Sequence, residues 1–208
     1  MTCVVGVVGE NGVLLAGDSQ STGENSMRNR IDAKTFKIFD TVAVAYCGSG
    51  RFGQILTHWL EDLLEEPPLG MDEQYWAIRL FIPSLTDVLE AHGHLHRYEA
   101  TEVVELGDSA FLLAVRNRVF CVEPDMQVSE DELPFSSLGS GEDVAVGAML
   151  GMAGHGEYAI DDRKLDAIAR AGIKAATKIT PYVGGKITTV RTVTYSPAEK
   201  ALARKVLA

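Results

Sequence analysis

The chain has 208 residues, 46% of them hydrophobic and 23% charged, and carries a formal net charge of -10. That acidity argues against a nucleic-acid partner, which needs clustered Lys and Arg against phosphate. No run reaches the roughly 18 apolar residues of a membrane span, so no membrane is expected.

The length suits one domain, residues 1–208, around a single hydrophobic core. The first twelve residues read as a strand entering a turn rather than a signal peptide, so a cytoplasmic location is expected. Cys3, Cys47 and Cys121 are odd in number and widely spaced. Buried thiols in a reducing compartment fit them better than disulfides or zinc.

Val4 to Val8 and Val13 to Ala16 are short apolar runs joined across Asn11-Gly12, a hairpin signal. Residues 19–33 are polar without a period and read as a loop. Thr35 to Phe39 and Val42 to Cys47 form a second strand pair turning at Asp40-Thr41. From Arg51, Phe52, Ile55, Leu56, Trp59, Leu60, Leu63 and Leu64 recur at helical spacing until Pro67-Pro68. A second helix is predicted over 72–91, kinked or broken at Pro83. Residues 93–107 read as loop.

Strands are predicted at Ala110 to Val115 and Val119 to Glu123, with a short one near Gln127. Helices follow at about 142–153 and 163–178, the second capped by Asp161 or Asp162. Ile187 to Tyr195 is a strand, and Pro197 to Leu207 a charged helical tail. Strands, two helices, strands, two helices and a strand favour an α+β layered domain. Two sheets packed face to face with helix pairs outside satisfy that order.

Several candidate chemistries fall away. His92, His94 and His96 have metal-like composition, but Gly93 interrupts a helix and no Cys or carboxylate stands at ligand spacing. Gly139-Ser140-Gly141 lacks the frame of a nucleophile elbow, and no phosphate-binding loop occurs. Thr2 is different. Removal of Met1 in front of so small a residue is expected, leaving a hydroxyl and an α-amine on one residue. A hydroxyl needs a base within hydrogen-bond reach, and an α-amine titrating at roughly 7.7–8.0 can serve. A nearby ammonium pushes that value down. Lys34 can supply it, and Asp18 can hold the lysine.

The segment from Thr2 to Gly50 resembles the start of a mature proteasome β-type subunit, and especially the bacterial HslV-type peptidase. The resemblance rests on Thr2, Ala16-Gly17-Asp18-Ser19-Gln20-Ser21-Thr22, Lys34 and Cys47-Gly48-Ser49-Gly50, with Leu138-Gly139-Ser140-Gly141 later. It implies a four-layer αββα sandwich and a threonine-type peptidase acting on peptides or unfolded proteins. It also implies Thr2 as nucleophile, its amine as base, Lys34 and Asp18 as the pair that tunes it, and the Gly48 N–H as oxyanion donor. Ser140 would hydrogen-bond near the amine, and Thr22 would pair with the substrate backbone. Asp32, Phe36 and Tyr46 would line a specificity pocket, with Gly50 beside it in the substrate-binding set.

No cofactor is implied, although main-chain carbonyls of Thr177, Thr180 and Val183 stand where the family can hold a cation. Partners implied are copies of the same chain, a ring among the forms, and an ATP-dependent unfoldase that no residue here identifies. The chain departs from the family at Thr180-Pro181-Tyr182-Val183-Gly184-Gly185, where two glycines persist and two polar side chains are missing. Two other readings compete: an amidohydrolase of the same fold acting on a small amide, and an inert assembly protein.

Overall fold

The computed structural model describes residues 2–23, 26–98, 103–154 and 159–195. The strands are β1 (Val4–Gly9), β2 (Gly12–Gly17), β3 (Gln20–Gly23), β4 (Ser26–Asn29), β5 (Thr35–Phe39) and β6 (Val42–Cys47). Helix α1 (Gly50–Trp59) follows, then α2 (Glu73–Trp76), a π turn (Ala77–Phe81) and α3 (Ile82–Ala91). Short strands β7 (His96–Tyr98) and β8 (Val103–Glu105) precede β9 (Ala110–Val115), β10 (Arg118–Val122), β11 (Val128–Ser129) and β12 (Phe135–Leu138). Helices α4 (Glu142–Ala153) and α5 (Leu165–Ile179) and strand β13 (Thr188–Arg191) complete the described elements.

Two antiparallel sheets form the centre, ordered β12-β1-β2-β13 and β11-β10-β9-β6-β5. Alternation along the strands decides what each face buries. Val4 and Val8 of β1 point between the sheets with Leu15, Ala43, Ala45, Leu112 and Ala114. Val5 and Val7 point the other way, against Met149 of α4 and Ile168 and Ile173 of α5. On the far side Val44, Phe111 and Phe120 meet Phe52, Ile55, Phe81 and Leu85 from α1, the π turn and α3. The result is the predicted α+β sandwich of two sheets between helix layers. Each fully buried large apolar side chain contributes roughly 1.5–3 kcal/mol to holding it.

Several local expectations change. Residues 20–29 form the β3–β4 hairpin, with Gln20 opposite Asn29 and Thr22 opposite Met27, where a loop was expected. Its β4 side is exposed, so no hydrophobic period marked it. Two short strands likewise interrupt the expected loop over 93–107. Helix 72–91 runs on past Pro83, which has no N–H to give residue 79; the chain widens into a π turn just before it and restarts with Pro83 in the first turn of α3.

Strand β12 was not foreseen; it pairs with β1, Val4 opposite Leu138. Neither Asp161 nor Asp162 is the cap of α5, whose N-cap is Lys164. Instead Asp161 accepts from the Arg163 backbone, and Asp162 binds Asn11 and Arg191. Met1 and the predicted tail helix lie outside the described residues.

All three cysteines are free and buried, as their spacing suggests. No helix among the described residues is long and apolar enough to cross a membrane.

Candidate active site

The site forms where strand ends from both sheets meet. Pairing of β1 with β2 sets Val4 opposite Gly17, which places Asp18 beside Cys3. Their main chains bond, Asp18 N to Cys3 O at 3.2 Å. Lys34, just before β5, is fixed by Tyr46 N donating to its carbonyl at 3.0 Å. Strand β6 delivers Cys47 and Gly48, and β12 delivers Gly139 and Ser140.

Lys34 is the hub. Its ammonium donates to Thr2 Oγ1 at 2.7 Å, Asp18 Oδ1 at 2.8 Å and the Gln20 carbonyl at 2.6 Å. Three donors meet three acceptors. Asp18 is fully buried. Its Oδ1 also accepts the Cys3 N–H at 3.1 Å, while Oδ2 accepts Gln20 N–H at 3.2 Å and Gly184 N–H at 3.1 Å. A carboxylate with about four lone-pair positions is thereby saturated, which a buried charge requires. Burial draws the Lys34 pKa below its ordinary value, and the attraction of Asp18 opposes that pull.

Ser140 Oγ accepts from Thr2 N and donates to Thr2 O, both at 3.3 Å. Gly141, the next residue, occupies the N-cap of α4. Gly139 adopts φ +99°, and a Cβ there would strike the Thr2 carbonyl. Gly48 has the same φ, with Asp108 O only 2.5 Å and Ser109 Cα 2.6 Å from where a Cβ would sit. Both positions require glycine.

Cysteine is not a rival nucleophile. Burial pushes the Cys3 thiol up to about 12 and raises Cys47 as well, so neither supplies a thiolate near neutral pH.

A cavity of about 610 Å³ opens over Thr2, walled by Gly48, Ser49, His94, Asp108, Ser109 and Ser140. On the other side of β6, Asp32, Phe36 and Tyr46 line a second cavity of about 220 Å³ with Gly53 and His58. Thr2, Asp18, Lys34, Gly48 and Ser140 are thus brought together, as are Asp32, Phe36 and Tyr46. Thr22 is not in either cavity: its hydroxyl accepts from Gln20 Nε2 at 3.1 Å, and it lines a third, beside Arg28 and Arg30. Gly50 opens α1, near the Arg30 guanidinium.

Sequence reasoning missed the Gln20 carbonyl, the Gly184 N–H, Ser109 and His94. Gly184 left a signal as a retained glycine, and His94 stood out only as a member of the His92, His94 and His96 set. The histidines part company, His92 packing on Trp59 with ring centroids 4.3 Å apart and His94 stacking on Phe52. Among the described residues no group of three metal-ligating side chains occurs.

The family model for proteasome subunits matches residues 1–75, which contain Thr2, Asp18, Lys34 and Gly48 but not Ser140. Proteasome subunit beta 1 of Thermococcus kodakarensis is 29% identical over 191 residues, 91% of this chain and 87% of that protein. The solved structure of BPH from Thiobacillus denitrificans gives a TM-score of 0.71 at 22% identity, covering 94% of this chain and 99% of that one. This is the proteasome β-type fold. The resemblance first read from Thr2 to Gly50 is borne out, and with it the four-layer αββα sandwich.

Two further structures share this proteasome-type fold. BPH in complex with Epoxomicin has a TM-score of 0.68 at 22% identity, covering 93% of this chain and 100% of that one. Eukaryotic HslV from Trypanosoma brucei has 0.62 at 20%, covering 92% and 99%.

Proposed function

We propose that this protein is a threonine-type endopeptidase whose nucleophile is Thr2, exposed by removal of Met1. The observation that carries this reading is the 2.7 Å contact between Lys34 Nζ and Thr2 Oγ1. With its three hydrogens committed to Thr2, Asp18 and Gln20, the Lys34 ammonium cannot take up a proton. It stabilises negative charge growing on Oγ1 instead. The base must then be another group, and the α-amine of a terminal Thr2 is the nearest that chemistry offers.

In the first step Oγ1 attacks the substrate carbonyl carbon and its proton passes to the amine. The oxyanion forms against the Gly48 N–H. Collapse breaks the C–N bond, the amine returns its proton to the leaving nitrogen, and an ester on Thr2 remains. Water, deprotonated by the same amine, releases the acid and restores the hydroxyl. Asp18 fixes Lys34, Ser140 positions the terminus, and the Asp32, Phe36 and Tyr46 cavity takes the side chain on the acyl side.

A neighbour of the same fold that binds Epoxomicin supports this reading. The proteasome-subunit relationship supports assembly with further copies of the chain, and exposed Met27, Ile31, Tyr75, Ile78 and Leu80 offer apolar surface for it. An ATP-dependent unfoldase and a cytoplasmic setting complete the proposal.

The test joins intact mass to turnover. Protein lacking Met1 should cleave short fluorogenic peptides, and Thr2→Ala should not. Met1 persisting on an enzyme that turns over would overturn the mechanism. Persisting on an inert protein, it would favour the assembly reading, and cleavage of small amides alone would favour the amidohydrolase.

A further inference from the structure

We infer that Arg28 is a specificity-determining residue, forming a subsite for an acidic side chain two residues before the one whose carbonyl is attacked. The inference rests on the reading of Thr2 as nucleophile. Strands β3 and β4 pair Ser21 with Arg28 and Gly23 with Ser26. Partners across a sheet share a face, so these four residues lie on one side of the hairpin. Gln20, Thr22 and Met27 lie on the other, where Gln20 Nε2 donates to Thr22 Oγ1 at 3.1 Å and to Met27 Sδ at 3.5 Å. Arg30, two residues beyond Arg28, continues the first face. With Ser21, Ser26 and Arg28 it lines a cavity of about 610 Å³.

The two guanidinium groups of this face are not equivalent. Arg30 gives Nε and Nη2 to Asp32 at 3.2 and 2.8 Å, so most of its charge is met. Arg28 is exposed and makes no hydrogen bond or ion pair among the described residues. Its guanidinium keeps all five donors for an incoming acceptor. A carboxylate, which such a fork holds through two parallel bonds, is its complement. A cationic side chain would meet like charge there, and an apolar one would leave the fork to water.

The hairpin also sets which substrate residue arrives there. Arg30 N donates to Ser19 O at 2.8 Å, so alternate residues from Ser19 turn their main chain toward β4. Gln20 and Thr22 turn theirs to the outer edge, and the Gln20 carbonyl accepts from Lys34 Nζ at 2.6 Å beside Thr2. An extended peptide laid along that edge from Thr2 passes Gln20 and then Thr22. Its side chains alternate, so the residue in the Tyr46 cavity and the second residue upstream share a side, roughly 6.6 Å apart. Arg30 lines the Arg28 cavity and its partner Asp32 the Tyr46 cavity, so their ion pair bridges the two. That adjacency puts the upstream side chain at Arg28, and the residue in between faces away.

The experiment uses two fluorogenic peptides identical except for Glu or its neutral isostere Gln at the third residue before the cleaved bond. Their kcat/KM values are measured with the processed, assembled enzyme. At low salt the Glu peptide should be favoured by about 2- to 5-fold, the scale of one solvent-facing ion pair. Near 1 M salt, where charges reach only about 3 Å, the ratio should approach one. Arg28→Gln should bring it to about one at low salt, while Arg28→Lys keeps the charge and should retain part of the preference. Arg28 stands on the exposed β4 side, so neither variant removes a packed side chain. Equal cleavage of the two peptides at low salt, an unchanged ratio in Arg28→Gln, or a larger preference with Glu moved one residue nearer the bond overturns the subsite while leaving Thr2 catalysis standing. If enzyme with a free Thr2 terminus cleaves neither peptide, both readings fall.

Discussion

The backbone N–H of Gly184 reaches Asp18 Oδ2 at 3.1 Å, joining residues 166 positions apart in sequence. The Gly184 carbonyl closes the same clamp, accepting from Ser19 N at 3.2 Å and Gln20 N at 3.0 Å. Lys34 is therefore held by a carboxylate that is itself fixed by main chain. Two peptide groups flanking Gly184 thus hold the Asp18 segment through main-chain hydrogen bonds.

This arrangement makes Asp18→Asn severe. The amide offers one acceptor where four donors converge, and its NH2 would confront an ammonium or an N–H. Removing one partner of a buried ion pair destabilises by about 3–5 kcal/mol. The urea midpoint should fall accordingly, and peptide turnover should be lost even where the variant remains folded.

Lys34 should impose an alkaline limit. Burial lowers its pKa from the ordinary 10.5, despite the opposing attraction of Asp18. Between that lowered folded value and the unfolded one, the unfolded chain binds the extra proton, so stability rises with pH across the window. Activity moves the opposite way, because deprotonation removes the charge that steadies Thr2 Oγ1. The rate should decline with a midpoint below 10.5. Lys34→Met should cost about 10²–10³ in kcat and abolish the stability rise. Asp18 keeps three backbone N–H donors in that variant, so far-UV circular dichroism should stay native-like.

The residues legible in sequence were those with local chemistry. Short apolar runs on either side of Asn11-Gly12 marked β1 and β2, the helical period marked α1, and Thr2, Asp18 and Lys34 stood at a recognisable spacing. What stayed hidden lacked a side-chain signature. Strand β12 is the sequence Phe-Ser-Ser-Leu, too short and polar to stand out. The Gln20 carbonyl and Gly184 N–H are backbone groups that any residue carries. His94 was visible, but as one of three histidines of metal-like composition that lacked further ligands; only packing on Phe52 separates it from His92.

Gly48→Ala should lose function twice over. At φ +99° an alanine is strained by roughly 1–3 kcal/mol, and its Cβ would press on Asp108 O and Ser109 Cα, main-chain atoms at 2.5 and 2.6 Å. Relief of that clash turns the Gly48 N–H away from the substrate oxygen. A melting experiment should register the strain, and kcat should drop by about 10²–10³. A near-native rate in a folded Gly48→Ala enzyme would remove this N–H from the oxyanion site.

Specificity on the acyl side should answer to Gly53. The Tyr46 ring packs against this glycine on α1, where a Cβ would overlap its Cζ and Oη. Gly53→Ala must therefore swing the ring away from the helix, and the cavity shared with Asp32 and Phe36 is the open space beside it. At about 220 Å³ the cavity has little volume to spare. Peptides with Phe or Leu before the cleaved bond should lose about 10-fold or more in kcat/KM, as befits about 1–3 kcal/mol of overpacking. Those with Ala should lose much less, because Thr2, Lys34 and Gly48 are untouched. Equal losses for Phe and Ala substrates would mean that the Tyr46 cavity does not receive that side chain.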